Sequence, residues 1–171
     1  FGRNREGSIE NLEEYGDLYA FNVHQVDSYN LDEKSVSSTK IRKALNAGNI
    51  QLANEYLGYN FKLSGVIVKG KGFGKKMGFP TANIDVENKH KIIPFQGVYA
   101  VNIYFKHNKL QGMLNIGVNP TFNHGKLTIE VHIFDFHQDI YGESIQLEFI
   151  KRIRNEKKFE KIDDLKHQLS L

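Results

Sequence analysis

The chain has no cysteine and no tryptophan, and only three prolines and two methionines among its 171 residues. Without cysteine, disulfides, thiolate zinc sites, iron–sulfur clusters and cysteine nucleophiles are excluded together, and a reducing compartment is the natural setting. We expect a cytoplasmic protein. No uninterrupted apolar run approaches the roughly 20 residues that a membrane-spanning helix needs, so an integral helical membrane protein is excluded and no membrane partner is expected. No signal peptide is visible either, because residues 1–5, Phe-Gly-Arg-Asn-Arg, are mostly polar. The chain opens without methionine, and we expect a processed product or a piece of a longer protein. Strong charge of one sign is also missing: the net charge is +3.

What is present suits one globular domain with a modest extra segment. Hydrophobic residues make up 40% and charged residues 25%, enough to bury a core and far from the composition of disordered chains. The charge is unevenly divided. Residues 1–64 hold 7 Lys/Arg against 9 Asp/Glu, a balance of −2, and residues 65–171 hold 16 against 11, a balance of +5. The second part would attract anions such as nucleotide phosphates. Five excess charges are few for a nucleic-acid binder.

Two regions differ in texture. Residues 1–59 show a strand candidate at 18–26, then a polar, turn-rich stretch and two short helices. Ser37-Ser38-Thr39 caps the first helix and Gly58 closes the second, which spans 50–57. One strand and two helices make a poor core, so this part reads as the tail of a larger α/β domain. From about residue 60 the pattern turns to strands at 61–68, 97–105, 110–116, 127–134 and 144–150. Along 127–134, Leu127, Ile129, Val131 and Ile133 share one face, and Thr128, Glu130, His132 and Phe134 the other. Short strands between Gly and Asn turns predict an antiparallel barrel or sandwich. Phe159, Ile162, Leu165 and Leu169 have helical spacing and predict a closing C-terminal helix.

Residues 69–83, Lys-Gly-Lys-Gly-Phe-Gly-Lys-Lys-Met-Gly-Phe-Pro-Thr-Ala-Asn, are the most unusual stretch. Gly70, Gly72, Gly74 and Gly78 let backbone N–H groups approach an anion, with lysines interleaved; a solvated hairpin loop explains the same composition. A Walker A loop fails here because Gly74-Lys75 is followed by Lys76 and no helix. A dinucleotide fingerprint fails on spacing and on its β surroundings. Thr81 and Asn83 offer hard oxygens suited to Mg2+, two apart and hence on one side of an extended segment, or they simply form a turn. Glu130 is a lone carboxylate in an apolar strand: either solvated or, facing a pocket, a general base. His132 shares its face. Lys151, Arg152, Arg154, Lys157 and Lys158 form a basic cluster with few aromatic neighbours, unlike a single-strand stacking platform.

Taken in order, the Gly-rich loop, Gly78-Phe79-Pro80-Thr81-Ala82-Asn83, Gly97-Val98-Tyr99-Ala100, residues 116–122, and Glu130-Val131-His132-Ile133-Phe134-Asp135 with Asp139-Ile140-Tyr141-Gly142 closely resemble the riboflavin kinase family. In particular they resemble the kinase module of bacterial bifunctional riboflavin kinase/FMN adenylyltransferases. Residues 1–59 resemble the end of the adenylyltransferase module, with Ser37, Ser38, Thr39 and Arg42 matching its phosphate-binding motif. The histidine motif that opens such a module is absent, so these residues are expected to be vestigial and adenylyl transfer to FAD is not expected.

The resemblance implies a six-stranded antiparallel Greek-key-type β-barrel with a C-terminal helix over 60–171, preceded by a partial α/β nucleotidyltransferase segment over 1–59. It implies ATP- and Mg2+-dependent phosphorylation of riboflavin to FMN and ADP. Glu130 would be the base, and Thr81 and Asn83 would hold Mg2+. Gly70, Gly72, Gly74 and Gly78 would wrap the phosphates, and Arg154 would help close over the flavin. The expected partners are riboflavin and ATP, not nucleic acid. Two other readings remain at this point: a single-stranded nucleic-acid-binding barrel, and an inactive fragment of the bifunctional enzyme.

Overall fold

The computed structural model describes residues 7–26, 30–31, 34–70, 79–118 and 127–156. It divides into two compact units, residues 1–36 and 37–171.

In the first unit, helix α1 spans Ile9–Tyr19. Ser8 caps it reciprocally with Asn11: the Asn11 N–H donates to Ser8 Oγ at 3.4 Å, and the Ser8 N–H to Asn11 Oδ1 at 3.0 Å. The helix stops at Ala20, which takes the left-handed conformation (φ 56°), and the Phe21 N–H returns to the Gly16 carbonyl at 3.0 Å. This corrects the expected strand at 18–26. Its first residues complete α1, and residues 21–26 form no regular element. Leu18, Tyr19, Ala20 and Phe21 satisfy either period, and what decides is pairing: a strand needs a neighbour for its N–H and C=O groups, whereas a capped helix supplies its own. The turn-rich stretch contains a minimal hairpin, β1 (Asn30–Leu31) against β2 (Lys34–Ser35).

The second unit opens with α2 (Ser38–Asn46) and α3 (Ile50–Leu57), as the capping residues predict. Ser37 Oγ accepts the Lys40 N–H at 3.4 Å and Asn49 Oδ1 the Leu52 N–H at 3.2 Å. Gly58 ends α3 at φ +74°, a conformation that favours glycine. Six strands follow: β3 (Lys62–Val68), β4 (Ala82–Val86), β5 (Gly97–Phe105), β6 (Asn108–Val118), β7 (Leu127–Ile133) and β8 (Ser144–Arg154). They close a barrel in the order β3-β4-β7-β6-β5-β8, every pair antiparallel. β5, β6 and β7 follow one another and β8 returns beside β5, which is a Greek key. β8 runs four residues further than the sequence pattern suggests. Its last residues, 151–154, are polar enough to read as a loop, yet they pair with β5 across two register shifts. The expected C-terminal helix lies outside the described residues.

Alternation fills the barrel: Leu63, Ile67, Val101, Leu114, Ile116, Val131 and Leu147 are almost fully buried. At one level the rings of Phe61, Phe149 and Tyr99 meet, with centroids 5.8 and 5.3 Å apart. Ala44, Leu45, Ile50 and Ala53 of α2 and α3 belong to the same core. Asn54 ties α3 to the sheet: its Oδ1 accepts the Phe61 N–H at 2.8 Å, and its Nδ2 donates to the Phe149 carbonyl at 2.9 Å.

Outside β8, Glu148 accepts from Asn102 Nδ2 at 2.7 Å and from the Tyr104 hydroxyl at 3.0 Å. Burial alone would raise its pKa, but these hydrogen bonds, the Lys109 charge and Asn60 outweigh it and hold the carboxyl below its ordinary 4.5. A depressed folded pKa gives stability that is complete above the unfolded value and is lost as pH falls through the folded one. Glu148→Gln is therefore expected to lower Tm at pH 7. The gap from the parent should shrink below about pH 4.5, read by thermal unfolding across pH. A gap constant with pH would refute the assignment.

Candidate active site

β4 begins immediately after Pro80-Thr81, and its ladder with β7 has two pairs, Ala82 with Val131 and Asn83 with Glu130. On its other edge, β7 sets Glu130 opposite Asn115 of β6. Residues directly opposite share a face of the sheet. Because the neighbouring Ile84, Val131, Leu114 and Ile116 point into the barrel, Asn83, Glu130 and Asn115 form one outward-facing row across three strands. All three are half-buried. Thr81 joins them, its Oγ1 donating to Glu130 Oε2 at 3.3 Å. The row continues to Val98 on β5, opposite Asn115, and to Arg154 on β8, opposite Val98. Val98 is buried yet is not part of the barrel core. Beyond Arg154, the Glu156 carboxylate lies against Gly117 of β6.

Beside Thr81 lies a cavity of about 290 Å3. Ile67, Ala82, Val131, Ile133 and Ile140 make its apolar wall, with Thr81 and Asp139 among its polar groups. The Asp139 carboxylate accepts the Tyr141 N–H at 3.1 Å, which shapes the wall segment that follows β7. Lys69, at the exit of β3, holds its ammonium 5.9 Å from the centroid of the Tyr141 ring, so a positive charge stands next to the cavity. Among the described residues no group of three or more His, Cys, Asp or Glu is placed to hold a metal by itself.

The structure thus brings Gly70, Thr81, Asn83 and Glu130 together. Gly70 lies so close to Asn83 that a methyl there would collide with the Asn83 carboxamide. Gly72, Gly74 and Gly78 lie outside the described residues, as do 119–122 of the loop after β6 and Lys157 and Lys158 of the basic cluster. Ser37 is the N-cap of α2, with Ser38, Thr39 and Arg42 on that helix. Arg154 ends β8 and its Nη1 donates to the Asn155 carbonyl at 3.1 Å.

Three residues have parts that sequence reasoning did not foresee. Asn115 joins the row only through pairing between strands. His132 Nδ1 donates to the Pro80 carbonyl at 2.8 Å. Arg152, counted with the basic cluster, reaches the Gln96 carbonyl at 2.6 Å and Asn155 Oδ1 at 2.9 Å, stacked near Phe95 and Tyr99. Burial raises the Tyr99 pKa, against the lowering pull of Arg152, and its hydroxyl donates to the Phe95 carbonyl. The two register shifts between Phe149 and Arg154 break the period of two, so alternation along the strand does not separate the half-buried Arg152 and Arg154 from exposed Lys151.

Comparison with known proteins gives the family. A family model described as riboflavin kinase matches residues 57–171. A bifunctional riboflavin kinase/FMN adenylyltransferase of Haemophilus influenzae is 40% identical over 170 residues, 99% of this chain and 54% of that protein. The enzyme of the same name from Escherichia coli is 38% identical over 171 residues, again 99% and 54%. A solved Streptococcus pneumoniae structure described as a macrolide-efflux protein superposes with a TM-score of 0.87 at 35% identity, covering 99% of this chain and 54% of that one. Among the described residues no helix is long and apolar enough to cross a membrane.

Fold and family match together define a small closed barrel of the kinase class. The chain belongs to the riboflavin kinase family. It spans about half the length of the curated relatives it matches.

Proposed function

We propose that the chain transfers the γ-phosphoryl group of ATP to the terminal ribityl hydroxyl of riboflavin, giving FMN and ADP. Family membership selects this reading over a single-strand-binding barrel. The observation that carries it is the Thr81–Glu130 contact on the rim of an apolar cavity, at the end of the Gly- and Lys-rich segment. The cavity suits the flat face of a nucleobase. Lys69 and the backbone at Gly70 then meet the phosphates, with Gly72, Gly74 and Gly78 completing the wrap.

The oxygen donors fit Mg2+, which is commonly bound by one or two protein groups plus substrate phosphates rather than by a protein cage. Thr81 Oγ1 and Asn83 Oδ1 would hold it, and when bound it neutralises the charge that builds on the transferring phosphate. Glu130 acts on the acceptor. With Oε2 held by Thr81, Oε1 takes the proton as the hydroxyl oxygen bonds to γ-phosphorus and the bond to ADP breaks. Asn115 lies next along the row to bond the polyol. The flavin rings lie over Val98 toward Arg154, three strand spacings or roughly 14 Å from Glu130, a span suited to a five-carbon chain attached to three fused rings.

Residues 1–59, with Ser37, Ser38, Thr39 and Arg42, are read as the end of an adenylyltransferase module. FAD formation is assigned to the part of the relatives' length that this chain does not span. The test is to mix the protein with riboflavin, ATP and Mg2+ and follow FMN by chromatography. FMN is expected only with Mg2+. A folded, riboflavin-binding protein that forms none would refute the kinase reading in favour of an inactive fragment.

A further inference from the structure

We propose that His132 is a positioning residue, pinning the Pro80 carbonyl and thereby fixing where Thr81 stands relative to Glu130; this rests on the reading of the site given above. The β4–β7 ladder stops at Ala82 and Val131. It cannot be carried past Pro80 in the usual way, because proline has no N–H to donate. The His132 side chain, on the same outward face as Glu130, takes over: its Nδ1–H reaches the Pro80 carbonyl at 2.8 Å. The imidazole is itself held edge-on by Phe79 and Phe134, each with its ring centroid 5.7 Å away.

Thr81 is thus fastened on both sides, by the ladder at Ala82 and by the side-chain pin at Pro80. This matters because Thr81 Oγ1 meets Glu130 Oε2 at 3.3 Å, so the position of the Thr81 backbone decides whether that contact forms. A displacement of about 1 Å at a reacting site costs up to 10²-fold in rate.

Two substitutions separate the hydrogen bond from ring packing. His132→Phe keeps a ring between Phe79 and Phe134 but has no donor. His132→Asn loses the ring but offers a carboxamide N–H near the place of Nδ1. His132→Phe is expected to keep its Tm and its KM for riboflavin, to need more Mg2+ for half-maximal rate, and to lose about 10-fold or more in kcat. His132→Asn is expected to recover most of that loss. A His132→Phe enzyme as active as the parent, or a His132→Asn enzyme no better than His132→Phe, overturns the inference. If His132→Phe does not fold, His132→Asn is compared with His132→Ala, and equal rates for those two overturn it as well. Glu130→Gln measured alongside keeps the two failures apart. Normal turnover in Glu130→Gln sinks the reading of the site, whereas an inactive Glu130→Gln beside a normal His132→Phe sinks only the role of His132.

Discussion

Glu130→Gln is expected to lower kcat by roughly 10²-fold or more while ATP still binds, the usual scale for losing a general base. The substitution keeps the shape of the side chain, and its carboxamide oxygen still accepts the Thr81 hydroxyl, now 3.3 Å from the carboxylate. What disappears is the capacity to take a proton. A ribityl hydroxyl is a weak acid, so the base contributes mainly as the proton leaves in the transition state, and the loss falls on kcat rather than on substrate KM. Glu130 lies on β7, whose hydrophobic partners point inward, so unfolding should change little. The measurements are steady-state kinetics with ATP titration by calorimetry. Turnover near that of the parent would remove Glu130 from the mechanism.

Asn83→Ala is expected to raise the Mg2+ concentration needed for half-maximal rate by about 10- to 100-fold, the scale seen when even supporting groups of metal sites are removed. Asn83 stands opposite Glu130 across β4 and β7 and opposite Val68 across β3 and β4, so its backbone is held on both edges. Truncation therefore deletes the oxygen donor without loosening the strand. Gly70→Ala offers an independent route to the same place. The added methyl would run into the Asn83 carboxamide and push it aside, so this variant should show the same shift in Mg2+ requirement in weaker form. Unchanged Mg2+ dependence in Asn83→Ala would show that the metal is held elsewhere. A shift in Gly70→Ala without one in Asn83→Ala would separate the effect from the Asn83 carboxamide.

Much of the barrel was legible because strand alternation is a local property. Leu127, Ile129, Val131 and Ile133 announce a half-buried strand with no reference to any partner, and β7 runs almost as that pattern predicts. Capping residues are equally local, and Ser37 and Gly58 bound α2 and α3 where expected. Residues 18–26 were not legible, because their apolar and aromatic residues fit two periods and only the lack of a pairing strand decides. The sequence pattern was also silent about Arg152, whose charge suggests solvent although its guanidinium packs near Phe95 and Tyr99.

By itself the sequence determined which side chains share a face and which chemistry they carry: hydroxyl at 81, carboxamide at 83, carboxylate at 130, and imidazole two residues further on. Only the tertiary structure decided that β4 and β7 lie side by side. The period of two along a strand fixes faces within that strand and says nothing about its neighbours. That adjacency comes from the closure of the Greek key, which carries the chain away through β5 and β6 before β7 returns to β4. From it follow the contact between Thr81 and Glu130, the cavity beside them, the place of Asn115 in the row, and the His132 pin on Pro80. Each joins residues far apart in the chain, and such contacts exist only once long-range pairing has set the register.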